Sequence, residues 1–344
     1  MRSPIVCLFL LVIFNATGHA ADSGVITIYH HVATDTPPST SISPADFRLH
    51  LEYLRDSGFN VIPLDTMLDS ITAGQELPEK AVAITFDDGY ISIYDTAFPM
   101  LQEFNFPFTL FLSTGPINNS QPGYINWEQI TEMSDAGVII ANHMVEHPYM
   151  LERIENESDQ DWIERLRAEL LQAENDIEMH TGQSHKYLAY PYGEFDKAIK
   201  QMVAEMGFIG LAQNSGAVNK STDLLAIPRF PLASIYADLE TARTKFEALA
   251  FNVQQLSPDT PVTSNHSPNV TLQFSSGNYN TAQINCFADS EAIPMQWLDP
   301  ANGIVELRPT KTYDGRRWRY LCTAPAPGTN RYHWYSVQWI DPVK

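Results

Sequence analysis

Two adjacent aspartates, Asp87 and Asp88, follow the apolar run AVAITF at residues 81–86 and precede Gly89. Repulsion and desolvation both oppose two carboxylates at the end of a buried strand, and a bound cation would offset both costs. The same residues also fit a simple turn, because Asp accepts backbone hydrogen bonds and Gly adopts positive φ. This stretch alone does not decide between a cation site and a turn.

Two histidines supply the other ligands that a metal site needs. His143 and His147 stand four apart in NHMVEHP, so on one helical turn they share a face and can chelate one metal. Such a pair by itself is weak evidence, but with one aspartate it completes the three protein ligands of an open site. We expect Asp88 to bind the metal and Asp87 to act as a base, although spacing alone does not assign these two roles.

Polar or special residues also follow two other β-rich runs. His30 and His31 end VITIY, and Pro191, Tyr192 and Gly193 follow KYLAY. In barrels of parallel strands, the loops at the carboxyl ends converge on one mouth, which carries the active site. Four strand ends with such residues therefore predict one shared site.

The elements that would position these residues alternate between short β-rich runs and longer helical runs, from residue 24 to about residue 250. This repetition predicts a mainly parallel sheet covered by helices, and about eight strands favour a barrel-like closure over an open sheet. The β-rich runs are VITIYH (25–30), FNVIPL (59–64), AVAITF (81–86), FTLFLS (108–113), VIIAN (138–142), KYLAY (186–190), FIGLA (208–212) and LLAIP (224–228).

The chain divides into four segments by composition. Residues 1–20 have a basic residue, an apolar run and small residues before Ala21, which is the layout of a signal peptide. Residues 21–252 hold the β/α alternation, and residues 253–268 are rich in Pro, Ser, Thr and Asn, which predicts a linker. Residues 269–344 contain short β-like runs and predict a small all-β domain, a sandwich.

Export, charge and cysteine content limit the partners of the chain. After signal removal only Cys286 and Cys322 remain, which in an oxidising compartment predicts a disulfide rather than two free thiols. The formal net charge of −20 argues against nucleic acid or anionic lipid as a partner. No later apolar stretch is long enough to span a membrane, so we expect a secreted or periplasmic protein.

Three motifs resemble those of a known family. TFDDGY, HMVEHP and YPYG are similar to the first three motifs of polysaccharide deacetylases with a NodB homology domain, carbohydrate esterase family 4. The opening ITIYHHV more closely resembles the branch that deacetylates poly-β-1,6-N-acetylglucosamine in biofilm matrices. The resemblance covers roughly residues 24–250 and implies a distorted barrel of β/α units, an α/β fold followed here by the small β domain.

The resemblance implies a role for each site residue. Asp87 matches the general base, and His30 matches the general acid of the biofilm branch; His31 is the nearby rival, whose side chain would point oppositely along an extended strand. The main-chain N–H of Tyr192 would bind the oxyanion, and Pro191 and Tyr192 would line the substrate subsite. The implied metal ligands are Asp88, His143 and His147. This set of ligands suits zinc, with cobalt, nickel or iron as alternatives.

The sequence departs from the family pattern at two positions. The family has Ser or Thr after the first metal histidine, but here the residue is Met144. Many members have an arginine that orients the base two residues before the proline of the third motif, where this chain has Ala189. We hypothesise that Arg229 in IPRFP supplies that charge from the next strand end.

We therefore expect an exported, metal-dependent N-deacetylase that acts on an acetylated polysaccharide containing N-acetylglucosamine. Chitin oligomers, peptidoglycan or an O-acetylated glycan are alternative substrates, and a non-catalytic carbohydrate-binding protein is the alternative from another class. Trp127 in GYINWEQ could stack on a sugar, although an aromatic residue ahead of a helix is more often packing. The β domain is expected to be a spacer, a docking surface for a cell-envelope partner or a sugar-binding module.

Overall fold

The computed structural model describes residues 20–344. The predicted signal peptide lies outside the described residues, except for its last residue. Ala20 and Ala21 form a short strand that pairs with Leu77–Pro78. Among residues 20–344, no helix combines the length and the apolar character needed to span a membrane.

The first unit alternates strands and helices, as the sequence predicts. The run at residues 224–228, however, forms only an isolated bridge at Ile227, and the last strand of the sheet is Phe230–Pro231. Its strands are β1 (Ala20–Ala21), β2 (Gly24–Tyr29), β3 (His31–Val32), β4 (Ser41–Ile42), β5 (Asn60–Val61), β6 (Leu77–Pro78), β7 (Ala81–Phe86), β8 (Phe108–Leu112), β9 (Ile139–Asn142), β10 (Tyr187–Ala189), β11 (Ile209–Leu211) and β12 (Phe230–Pro231). Its helices are α1 (Pro44–Asp56), α2 (Leu64–Thr72), α3 (Phe98–Phe104), α4 (Thr114–Asn118), α5 (Trp127–Asp135), α6 (Asp159–Thr181), α7 (Lys197–Glu205) and α8 (Leu239–Phe246).

Eight strands of this unit form one curled parallel sheet, in the order β11, β10, β9, β8, β7, β2 and β12, with β5 also paired to β7. Ile227, just before β12, donates a main-chain hydrogen bond to Gly210 (2.9 Å) and accepts one from Ala212 (2.8 Å). This contact draws the two edges of the sheet together. The predicted distorted β/α barrel is confirmed as a curled half-barrel.

The strands at the centre of the sheet are buried on both faces. All six residues of β2 and all six of β7 are buried, as expected for parallel strands that have helices or chain on either side. Neither strand contains a charged residue, and the hydroxyls of Thr27 and Thr85 donate to main-chain carbonyls. Charged side chains first become possible where the strand ends, which is why the candidate site residues lie at the carboxyl edge.

The second unit is a pair of four-stranded antiparallel sheets, ordered β13-β14-β18-β17 and β16-β15-β19-β20. A disulfide joins Cys286 and Cys322 on neighbouring strands of one sheet, as the sequence predicts. The strands are β13 (Val253–Ser257), β14 (Val270–Phe274), β15 (Asn285–Ala288), β16 (Glu291–Ala292), β17 (Met295–Asp299), β18 (Ile304–Leu307), β19 (Arg317–Pro325) and β20 (Tyr332–Ile340).

The segment 253–268, which we expected to be a linker, differs from that expectation. Its first five residues form β13, which pairs with β14 at the edge of the sheet, and Thr263 donates a main-chain hydrogen bond to Ile340 (2.9 Å). Sequence VQQLS has too little apolar character to be recognised as a strand. The β domain therefore begins at Val253, and little free chain separates it from the first unit.

Candidate active site

Asp87 and Asp88 lie directly after β7, at the carboxyl edge of the curled sheet. Asp87 is fully buried and Asp88 is 8% exposed. Asp88 and Gly89 both have positive φ, 74° and 88°, so the chain turns sharply as it leaves the strand. A side chain on Gly89 would also collide with Leu112, whose nearest atom would lie 2.9 Å from a Cβ built there. The turn thus presents two carboxylates at one point of the mouth.

Asp88, His143 and His147 form a cluster with the geometry of a metal site. The Oδ1 atom of Asp88 lies 3.2 Å from Nε2 of His143 and 3.4 Å from Nε2 of His147. One ligand atom from each residue lies within 4.8 Å of the other two. A cation placed among these atoms would contact two imidazole nitrogens and one carboxylate oxygen, a donor set typical of open zinc-type sites.

The environment of His143 supports a cation in this cluster. Its Nδ1 lies 2.7 Å from the carbonyl oxygen of Ala189 and donates to it, so a neutral ring carries its lone pair on Nε2. That Nε2 atom is buried and forms no geometrically acceptable hydrogen bond among the described residues, although Oδ1 of Asp88 lies 3.2 Å away. Buried polar atoms normally have a partner, and a metal ion would provide one.

The electrostatics of the cluster also favour positive charge. Burial lowers the pKa of His143, but the adjacent carboxylates of Asp87 and Asp88 outweigh this and hold it above its usual value. Burial followed by the charge of His143 lowers the pKa of His147 to about 4, so this ring is neutral and able to bind a cation at neutral pH. Burial opposes ionisation of Asp88, yet the neighbouring histidines hold its pKa well below the usual value.

Arg229 forms a buried, bidentate ion pair with Asp87. Its Nη1 and Nη2 atoms each lie 2.7 Å from a carboxylate oxygen of Asp87, and both side chains are fully buried. The guanidinium also donates to the carbonyl of Ala212 (3.0 Å) and to the hydroxyl of Thr85 (3.2 Å). Burial alone would raise the pKa of Asp87, but Arg229 and His143 hold it below the usual value.

The two N-terminal histidines have different surroundings. His30 follows β2 and is half-buried; it lies close enough to Asp87 and Asp88 for its positive charge to lower the pKa of both. His31 belongs to β3, is buried, and stacks on Tyr90 with ring centroids 3.7 Å apart. Burial followed by the charge of His30 lowers the pKa of His31. The ring of His31 is held by its stack on Tyr90, whereas His30 is the histidine whose charge acts on both carboxylates.

The loop Pro191–Gly193 forms another wall of the mouth. Tyr192 has a positive φ of 57°, and its ring packs edge-on against His147 with centroids 4.4 Å apart. On its other side it stacks on Tyr149 at 3.8 Å. Gly193 also has positive φ, and a Cβ there would lie 2.8 Å from Cβ of Gln213. Pro191, the first residue of the loop, is buried.

Backbone strain is concentrated at this mouth. Asp88, Met144, His147 and Tyr192 are all non-glycine residues with φ between 51° and 74°. Such conformations cost of order 1–3 kcal/mol each and persist where surrounding contacts enforce them, often at functional sites. Four of them within one cluster indicate that the positions of these side chains are imposed by the fold.

The structure places two other sequence candidates among packing contacts. Trp127 begins α5, stacks on His180 at 4.1 Å and donates its indole N–H to Asn118 (2.9 Å), so packing occupies one face of the indole. Met144, where the family has Ser or Thr, is fully buried. The main-chain N–H of Met144 donates to the side-chain oxygen of Asn142 (2.9 Å).

Sequence reasoning missed three residues at the mouth. Tyr149 stacks on Tyr192, and Arg316 and Arg317 reach the 191–194 loop from the β domain. No local pattern marks Tyr149. The adjacent arginines are unusual in so acidic a chain, but nothing in the sequence connects them to a loop more than 120 residues earlier.

Comparisons with known proteins agree with this architecture. Residues 74–210 match the family model described as polysaccharide deacetylase; this range contains the aspartates, the histidine pair and the 191–193 loop, but neither His30 nor Arg229. The resemblance read from the motifs is confirmed.

Two relatives and one solved structure illustrate the match. A putative polysaccharide deacetylase, YxkH, of Bacillus subtilis is 23% identical over 205 residues, 59% of this chain and 69% of that protein. The Escherichia coli poly-beta-1,6-N-acetyl-D-glucosamine N-deacetylase is 23% identical over 273 residues, 69% of this chain but only 40% of the enzyme. The structure of IcaB from Ammonifex degensii superposes with a TM-score of 0.58 at 24% identity, over 67% of this chain and 99% of that chain. At this identity the superposition establishes the fold.

Proposed function

We propose, from the premise that residues 74–210 form a polysaccharide deacetylase domain, that this chain is a metal-dependent N-deacetylase of a polysaccharide containing N-acetylglucosamine. The observation that carries the proposal is that two adjacent carboxylates, Asp87 and Asp88, have different partners. Asp87 is held ionised by Arg229, and Asp88 beside it shares a cluster with His143 and His147. A protein that only bound sugar would have no use for a buried base next to a ligand cluster.

The proposed ligands are Asp88, His143 and His147. A divalent cation held by them would polarise the acetamide carbonyl and make a water molecule acidic enough to be deprotonated near neutral pH. Two imidazoles and one carboxylate suit zinc, and cobalt, nickel and iron are alternatives that the same donors would accept.

The protein's own groups would then move the protons. Asp87, ionised and oriented by two hydrogen bonds from Arg229, would accept a proton from the attacking water. The main-chain N–H of Tyr192 would donate to the oxygen that gains negative charge as the carbonyl carbon becomes tetrahedral. His30 would give a proton to the amide nitrogen, so that the amine leaves as a neutral group and acetate remains.

The substrate proposal rests on the relatives and on the charge of the chain. The Escherichia coli relative is named for poly-beta-1,6-N-acetyl-D-glucosamine, and we extend that polymer to this chain as the first candidate. A net charge of −20 is compatible with a neutral substrate whose deacetylated product is cationic. Pro191, Tyr192 and Trp127 remain proposed substrate contacts, and secretion or periplasmic export through residues 1–20 remains a proposal.

Acetate release tests the proposal directly. The protein would be incubated with N-acetylglucosamine polymers of β-1,6 and β-1,4 linkage, with added zinc, cobalt or nickel, beside a chelated control and Asp87→Asn. Release that depends on metal and is abolished by Asp87→Asn would support the N-deacetylase, and the better polymer would identify the substrate class. If no polymer releases acetate although metal is bound, the N-deacetylase is refuted, and O-acetylated glycans or simple carbohydrate binding become the readings to test.

A further inference from the structure

Glu194 is a fully buried carboxylate that the proposed mechanism does not use. It directly follows the Pro191–Gly193 loop and is 0% exposed. The groups that neutralise it belong to the other domain. Arg316 donates to Glu194 through Nε (2.7 Å) and Nη2 (2.8 Å), and Arg317 donates through Nη1 (2.9 Å). A buried charge needs such partners because desolvation would otherwise disfavour it strongly.

The same part of the β domain contacts each side of the loop. The guanidinium of Arg317 lies over the ring of Tyr192 at 5.3 Å, and that of Arg316 lies over Tyr149 at 4.3 Å. The side-chain amide of Gln338, on β20, donates to the carbonyl of Gly193 (2.6 Å). The loop is thus held at its carboxylate, its main chain and its aromatic face by residues from one neighbouring domain.

Within its own domain the loop is contacted mainly through the Tyr192 ring, which packs against His147 and stacks on Tyr149. Its main chain closes a tight turn, in which Gly193 donates to Tyr190 (2.8 Å) and Glu194 donates to Pro191 (3.1 Å). Tyr192 adopts the strained φ of 57°. Contacts from the β domain add to the constraint that a strained turn requires to persist.

The docking of the β domain does not depend on these contacts alone. Trp334 packs edge-on against Phe230 of β12 (5.5 Å) and donates its indole N–H to Ser215 (3.0 Å). Leu249 of the first unit donates a main-chain hydrogen bond to Tyr332 of the β domain (2.9 Å) and accepts one from Trp334 (2.8 Å). Removing the arginine contacts should therefore release the loop while the two domains stay together.

We propose that Arg316 and Arg317 are positioning residues of the active site: through Glu194 they hold the Tyr192 loop in the orientation that binds the reacting carbonyl. The β domain is then a structural part of the catalytic mouth and not a spacer. This inference rests on the proposed function for its effect on turnover, but the positioning of the loop can be measured without it.

The test compares Arg316→Ala, Arg317→Ala and the double variant with Arg319→Ala. Arg319 lies on β19 with Arg317, and its side chain donates to the hydroxyl of Tyr236 (3.3 Å), so it is a matched control outside the loop. Hydrogen–deuterium exchange would follow the amides of Gly193 and Glu194. We expect their exchange to accelerate at least tenfold in the double variant and to be unchanged in Arg319→Ala, while protection of β7 and β20 is retained.

Turnover would be measured on the same variants with bound zinc determined in parallel. A loop displaced by about 1 Å can cost of order 100-fold in rate, so we expect kcat to fall by about that factor with zinc content unchanged and KM altered much less. If the double variant does not fold, Glu194→Gln keeps the shape of the side chain and weakens the same contacts. The variant that combines Glu194→Gln with Arg316→Ala should then lose no more kcat than the more affected single variant, because both substitutions act through the same contact.

The outcomes separate this inference from the proposed function. If the unaltered protein releases no acetate, the proposed function fails, and the exchange experiment still decides whether the arginines order the loop. If exchange at Gly193 and Glu194 is the same in the double variant and in Arg319→Ala, the positioning role is overturned. A loss of kcat that is accompanied by loss of zinc or by an equal loss in Arg319→Ala would likewise overturn it.

Discussion

The ion pair between Arg229 and Asp87 allows the most quantitative prediction. Both side chains are fully buried, and two 2.7 Å hydrogen bonds join them. Arg229→Ala would leave the carboxylate buried without its main partner, a change that costs about 3–5 kcal/mol of folding free energy. With an m-value of about 3 kcal/mol per molar urea, the unfolding midpoint should fall by about 1–1.7 M. Acetate release should be lost while zinc content is retained, since Arg229 contacts no proposed ligand.

The assay is urea unfolding of the chelated protein, with two further variants. In Arg229→Ala/Asp87→Asn the uncompensated charge is also removed, so the double variant should be more stable than Arg229→Ala by about 1–3 kcal/mol. Arg308→Ala, which breaks a surface pair with Glu306, should change stability by less than about 1 kcal/mol. If Arg229→Ala unfolds at the midpoint of the unaltered protein, or if Asp87→Asn does not recover stability in its presence, the charge argument is refuted.

Three further predictions follow from other contacts. His30→Ala should lower kcat at least tenfold with little change in stability, whereas His31→Ala should mainly lower the melting temperature; equal effects on kcat would contradict the assignment of the acid. His143→Ala should abolish zinc retention on dialysis, and retention of stoichiometric zinc would exclude the proposed ligand set. His266 pairs with Asp341 (2.8 Å), which raises its pKa, so the pair's stabilisation is present below about pH 6.5 and is lost as pH rises through the raised value. Asp341→Asn should therefore lower the melting temperature more at pH 6 than at pH 9.

The sequence was sufficient for the features that depend on local pattern. Apolar runs gave the strands of the curled sheet except β12, and residues that follow strand ends gave the mouth, because a buried strand admits charge only where it ends. The local pattern also explains the start of α5, where Asn126 and Gln129, spaced three apart, form a capping box with both hydrogen bonds. Arg229 was expected at a strand end; it reaches Asp87 from the residue just before β12, with β2 lying between β12 and β7.

Features that depend on long-range contacts could not be read in this way. The sequence places both His30 and His31 near the mouth and does not distinguish their roles. The stack of His31 on Tyr90, a long-range contact, is what distinguishes the two residues. The edge strand β13 was hidden because its glutamines fit a linker as well as a strand. Glu194 looked like an ordinary loop residue, since its burial is created by a domain that begins about 60 residues later in the chain.

The position of Arg229 also constrains how such a site can change over generations. The resemblance implies that many family members carry the guanidinium at the position of Ala189, the last residue of β10, where it would serve the same carboxylate. A lineage that lost one arginine before it gained the other would pass through a protein with an unpaired buried Asp87. A lineage that gained the new arginine before it lost the old one would have to fit two guanidinium groups around one carboxylate. The two arrangements are thus separated by an unfavourable intermediate.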